Sequence, residues 1–146
     1  MKNLLIAVAM PCLCIVTSCA TGPPATQSPN PSTRDARLAT VTVLRKSQIM
    51  GAAVKVEVQL DAVKIARIGT GDRVEFQVSP EKHFVCIPWR DPLIGPMDEI
   101  KSFQAEAGRI YYFYYSAHMT GPELKQLSQE EGEREVASNR YRLITL

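Results

Sequence analysis

From Val54 to Asp61 the chain alternates without a break. Val54, Val56, Val58 and Leu60 lie on one side of the repeat, and Lys55, Glu57, Gln59 and Asp61 on the other. Period two is the spacing of a strand with one dry face and one wet face, so this stretch must be half of a sheet that needs a partner layer. The flanking segments share the pattern. Ala39-Thr40-Val41-Thr42-Val43-Leu44-Arg45 is β-branched and alternating, which predicts a first strand. Asp61-Ala62 turns the chain into Val63–Ile68. Gly69-Thr70-Gly71-Asp72 turns it into Arg73–Val78, and Ser79-Pro80-Glu81-Lys82 into His83–Ile87, so 38–87 reads as an antiparallel meander. A Pro-rich loop follows over 88–97, then strands over 98–105 and 109–116. The latter holds Ile110-Tyr111-Tyr112-Phe113-Tyr114-Tyr115, with aromatics on both faces, which suits a central strand covered on both sides or a strand with one face solvated by tyrosine hydroxyls. Glu123–Leu127 reads as a last short strand. Ser128-Gln129-Glu130-Glu131 is a capping box, and Glu130 and Arg134 are i,i+4 partners, so a short helix runs to about Ser138. Gly132 should weaken it by about 1 kcal/mol relative to alanine. The fold class is all-β: a small antiparallel β-sandwich of about seven strands with one short C-terminal helix.

The first 37 residues do not belong to that pattern. Lys2 is followed by an apolar run of about 13 residues from Leu4 to Val16, too short for a membrane-spanning helix. It ends at Val16-Thr17-Ser18-Cys19, one apolar residue and two small ones before a cysteine. This stretch resembles the lipobox of bacterial lipoproteins. The resemblance implies that 1–18 is a signal peptide, that Cys19 carries lipid, and that the bond before it is cut. Each buried methylene of an acyl chain is worth about 0.8 kcal/mol, and two or more chains anchor stably where one does not. Ala20 follows the cysteine where inner-membrane lipoproteins carry Asp. By the same resemblance the protein is held at the outer membrane, with its domain facing the periplasm. The alternative is ordinary secretion, since Ser18-Cys19-Ala20 also fits a small-x-small cleavage site. Residues 19–37 hold Pro23, Pro24, Pro29 and Pro31 among small polar residues, so they form a tether with too little apolar surface to fold. The domain is 38–146.

Composition closes several functions. The formal net charge of +2 leaves no basic footprint for nucleic acid. Of the four cysteines, Cys12 and Cys14 lie in the signal and Cys19 is committed to lipid, so Cys86 is left as a buried, unpaired thiol. His83 and Cys86 form H-x-x-C, but positions i and i+3 on a strand face opposite ways, and neither a zinc site nor a nucleophile–base pair results. No metal, cofactor or small-molecule substrate is implied, and the chain does not read as an enzyme. The tyrosine run suits sheet packing, with sugar stacking as the alternative.

The best functional candidate is the loop Ile87-Pro88-Trp89-Arg90-Asp91-Pro92-Leu93-Ile94-Gly95-Pro96-Met97. Trp89, Arg90, Leu93 and Ile94 on a proline-stiffened segment suit a protein partner in the envelope, because Trp and Arg dominate interface hot spots and stiffness lowers the entropy cost of binding. The alternative is that Trp89, Leu93 and Ile94 fold over one end of the sandwich and close its core.

The lipobox, the meander, the Pro80-Glu81-Lys82-His83 turn, the segment Glu106-Ala107-Gly108-Arg109-Ile110-Tyr111-Tyr112 and the short C-terminal helix occur in that order. Together they resemble the bacterial lipoprotein family that carries the domain of unknown function 2846. Its members usually have glycine where this chain has Glu81. The resemblance implies a small β-rich envelope domain and brings no catalytic residues with it.

Overall fold

The structure is a computed structural model that describes residues 34–49, 51–91, 95–138 and 140–146. Its strands are β1 (Ala39–Arg45), β2 (Val56–Leu60), β3 (Val63–Ile68), β4 (Asp72–Val78), β5 (Lys82–Ile87), β6 (Arg90–Asp91), β7 (Gly95–Pro96), β8 (Glu99–Gln104), β9 (Ile110–His118), β10 (Gly121–Leu127) and β11 (Arg142–Ile144). One helix, α1 (Gln129–Ala137), lies between β10 and β11. The chain is all-β and sandwich-like, as the alternation requires. One sheet runs β10-β9-β1-β4-β11 and the other β3-β2-β5-β8, with β6 and β7 as a small separate hairpin.

The alternating residues meet between the sheets. Val41, Val43, Val74, Phe76 and Phe113 from the first pack with Val56, Val58, Val85, Ile87 and Phe103 from the second. The order of pairing differs from the meander expected over 38–87. The hairpin β2–β3 lies in the second sheet, β4 crosses back to pair with β1, and β5 returns to β2. Alternation specifies which side of a strand is dry, not which strand lies beside it. A five-strand meander would leave its whole apolar face in water, and distributing the strands between two sheets lets each face cover the other. Two pairings are parallel, β1 with β9 and β11 with β4. The C-terminal strand β11 was not anticipated: it is short and lacks alternation, and its place depends on the edge of β4.

The turns are made by unequal means. Asp61 and Ala62 both take positive φ, 49° and 66°, the mirror-image turn that suits a two-residue hairpin but disfavours any side chain. Glu81 is not among the positive-φ residues, so the Ser79–Lys82 turn has no need of the glycine usual in the resembling family.

On the outer face of the first sheet, Tyr112 is paired with Thr42 of β1 and covered by α1. The capping box forms as the sequence predicts. The Glu131 backbone N–H donates to the Ser128 hydroxyl at 3.3 Å, and the Ser128 N–H donates back to the Glu131 carboxylate at 3.0 Å. Gly132 has a reason beyond helix propensity. A Cβ there would sit 2.1 Å from Tyr112 Cγ, so only a bare Cα lets the helix reach the sheet.

Two glycine exchanges should therefore run against each other. Helix propensity alone gives Gly132→Ala a gain of about 1 kcal/mol. The contact with Tyr112 predicts a loss of about 1–3 kcal/mol instead, read as a fall of several degrees in melting temperature. Ala62→Gly should raise stability by about 1 kcal/mol by relieving the left-handed backbone. Chemical denaturation of both variants checks the pair.

Candidate functional site

The loop singled out by the sequence begins where β5 ends. Trp89 is half-buried and packs against the inter-sheet core. Its backbone N–H donates to the Asp98 carboxylate at 3.3 Å, and its carbonyl accepts from the Met97 N–H at 2.7 Å. Arg90 then pairs with Pro96 across the β6–β7 hairpin. Leu93 and Ile94 lie outside the described residues, and so does Cys19. Trp89 thus helps close one end of the core, as the alternative reading expects, and it also lines a surface groove.

That surface is a groove of about 450 Å³ lined by Val54, Lys55, Val56, Glu57, Arg67, Pro88, Trp89 and Arg90. Three features shape it. Val54 stands 51% exposed just before β2, so the alternating face runs out of cover there. Glu57 and Arg67 are directly opposite on β2 and β3. Glu57 is occupied within its own sheet, accepting from the Gln59 amide at 2.8 Å and meeting Lys64 Nζ at 3.2 Å. The Gln59 hydrogen bond first, then Lys64, holds its carboxyl below the usual range. Among the described residues no ion pair joins Lys55, Arg67 or Arg90 to a carboxylate. All three are exposed, so the groove brings three cations beside Trp89. Sequence reasoning found Trp89 and Arg90. It missed Val54, Lys55 and Arg67, which read simply as strand positions 20 to 35 residues away, roughly, and reach the groove only through pairing.

A second cluster was missed altogether. His83 Nδ1 is 2.6 Å from the Asp61 carboxylate, and Nε2 is 3.5 Å from the Ser79 hydroxyl. The residue types are those of a nucleophile, base and acid, but the geometry does not serve that chemistry. Nε2 faces the Ser79 carbonyl at 2.9 Å, and the Ser79 hydroxyl donates to Glu81. The hydroxyl is thus turned toward Glu81 and away from the ring, and Nε2 lies closer to the Ser79 carbonyl than to the hydroxyl. The ring is also buried against Phe103. Asp61 completes a structural clasp, its carboxylate accepting from the Phe84 N–H at 2.9 Å while its own N–H donates to the Phe84 carbonyl at 3.0 Å.

Cys86 is free and buried. It pairs with Gln59 and Ile100, between Val85 and Ile87, which face the core. It therefore points away from His83 and lies on the outer face of the second sheet, not in the inter-sheet cluster. Among the described residues, no group of three or more His, Cys, Asp or Glu is placed to hold a metal ion, and no helix is long and apolar enough to cross a membrane. No protein-family model matches the chain, and no curated protein matches it.

Burial first, then the nearby charge of Asp98, pushes the Cys86 thiol above its ordinary pKa. A raised pKa leaves less thiolate at any pH below it, and thiolate is the reactive form. Maleimide should consequently label the native protein slowly and the denatured protein quickly. Fast native labelling would place the sulfur in water.

Proposed function

We propose that the chain is a membrane-anchored envelope lipoprotein of the kind its lipobox resembles, with a non-enzymatic domain that binds another protein through the Trp89–Arg90 groove. In this reading Cys19 carries the lipid, residues 20–37 hold the domain off the outer membrane, and the domain faces the periplasm. The resemblance to the family with the domain of unknown function 2846 fits such a role. The observation that carries the binding role is the placement of Trp89. It packs against the core and also lines the groove, so the core holds the side chain before a partner arrives. Rigid aromatic anchors of that kind lose little entropy on binding.

The tyrosine strand offers weaker support for a sugar-binding module. Tyr112, Phe113 and Tyr115 are buried beneath α1 or between the sheets, and of the run's aromatics Tyr111 and Tyr114 alone stay half-exposed.

Two measurements test the proposal. Growth with radiolabelled palmitate should label the wild type and leave Cys19→Ser unlabelled; equal labelling, or a mature N-terminus at Thr21, sinks the anchor. For the groove, Trp89→Ala is a poor probe by itself, because it removes core packing as well and should lower the melting temperature. Arg90→Glu is the cleaner one. Exposed substitutions usually change stability by less than about 0.5 kcal/mol, so its melting temperature should hold while crosslinking to an envelope partner in intact cells falls. Unchanged crosslinking would remove the groove from the interface.

A further inference from the structure

The groove has a direction as well as a charge. Ladder pairs between β2 and β5 cover only Gln59↔Cys86 and Leu60↔Val85. After Ile87 the chain reaches Pro88, which has no N–H to continue a ladder. No ladder pair follows at Val56, Glu57 or Val58 on that side among the described residues, although these same residues pair with or flank β3 on the other. The second sheet therefore forks. One arm is the first half of β2, the other is Pro88–Arg90, and the groove lies against both.

Resting on the protein-binding reading above, we infer that this fork takes an extended, acidic segment of a partner protein laid alongside β2. Three lines support it. An unpaired strand flank offers backbone groups to an added strand, the mode in which main-chain bonds give affinity and side-chain contacts give specificity. The charge is one-sided: Lys55, Arg67 and Arg90 face the groove, and its one carboxylate, Glu57, is already held by Lys64 and Gln59. An apolar contact is present too, in half-exposed Val54 and the Trp89 ring. A volume of about 450 Å³ suits a short segment and is too small for a folded domain. The ligand is then an extended run with acidic residues around one aliphatic anchor.

Trp89 is the only tryptophan of the chain, so its fluorescence reports on the groove directly. The experiment titrates the full chain, purified in a nonionic detergent, with a capped peptide alternating Glu and Val around a central Leu. A second peptide has Lys for every Glu, and a third is the acidic peptide N-methylated at alternate amides. The acidic peptide should change Trp89 emission saturably and bind more weakly as salt rises. The lysine peptide should give no saturable change. N-methylation should weaken binding at least about tenfold if ladder bonds form. Arg67→Glu with Arg90→Glu, at an unaltered melting temperature, should also cost about tenfold or more. Equal binding of acidic and basic peptides, or none by either, overturns the proposal. So does an emission change with phosphatidylglycerol vesicles in place of peptides, which would assign the groove to lipid headgroups. Undiminished binding of the N-methylated peptide overturns the strand-like pose. If the acidic peptide fails while Arg90→Glu still loses its crosslinked partner, the groove remains an interface and its acidic specificity falls alone.

Discussion

The end of the sandwich that carries the groove is built on one buried charge. Arg45, the last residue of β1, is 1% exposed and points between the sheets. Its guanidinium donates to the carbonyls of Val54 at 2.5 Å, Gly51 at 2.7 Å and Ile68 at 3.0 Å, and lies 5.9 Å from the centroid of the Tyr115 ring. Burial lowers its pKa, while Tyr115 and Asp72 act against that shift. An unpaired ion in such a place costs several kcal/mol. Charge-assisted hydrogen bonds of about 1.5–3 kcal/mol each can offset that cost only if all of them form together. The three carbonyls come from the loop before β2 and from the end of β3. Arg45 thereby sets where β2 begins, and Val54, whose carbonyl it holds, presents its side chain to the groove. The groove thus takes its shape in part from a charge that is not among its lining residues.

The outer face of the first sheet shows the same dependence of one layer on another. Tyr112 is buried although it alternates away from the core, because α1 covers it, and α1 can approach only because Gly132 lacks a side chain. Tyr141, just beyond the helix, donates its hydroxyl to Glu135 at 2.9 Å and so ties the return of the chain to α1. Burial first, then that bond to Glu135, raises the pKa of its phenol. From there β11 adds to the open edge of β4, and Arg142 reaches the buried Asp72 at 2.8 Å. Asp72 also accepts from the Gly69 N–H at 2.7 Å, so the turn into β4 and the C-terminal strand share one carboxylate.

What could be read beforehand follows a physical line. Strand β1 spans the residues its alternation marks, the Asp61-Ala62 turn falls where expected, and the capping box forms from the residues that define it. Each of these is local, decided within a few residues by side-chain period or backbone bonding. Strand partnership is not local, so the meander was misread. The cost assigned to Gly132 follows from helix propensity alone and leaves out the contact with Tyr112, where a Cβ has no room. The groove was half legible. Trp89 and Arg90 are adjacent in sequence and unusual in type, whereas Lys55 and Arg67 look like any solvent-facing strand residues. His83 and Asp61 were invisible as a pair because 22 positions separate them and nothing in either neighbourhood points to the other.

The clasp and the fork are two ends of one strand pair. At the Asp61 end, β2 and β5 are held by the bonds of Asp61 to Phe84 and to His83, with the ring of His83 buried beneath. At the other end the ladder stops at Gln59 and Cys86, and among the described residues no strand pairs with β2 beyond it on that side. Twist makes the difference consequential. Neighbouring strands rotate by roughly 20–25° relative to each other, so a pair pinned at one end and free at the other diverges toward the free end. Had the clasp been absent, the pair could slip in register or part along its whole length, and no groove of fixed width would exist. Pro88, with no N–H, cannot resume the ladder beyond its last pair at Gln59 and Cys86. The strained pair Asp61-Ala62 is kept, on this account, because its carboxylate and backbone hold the hinge from which the groove opens.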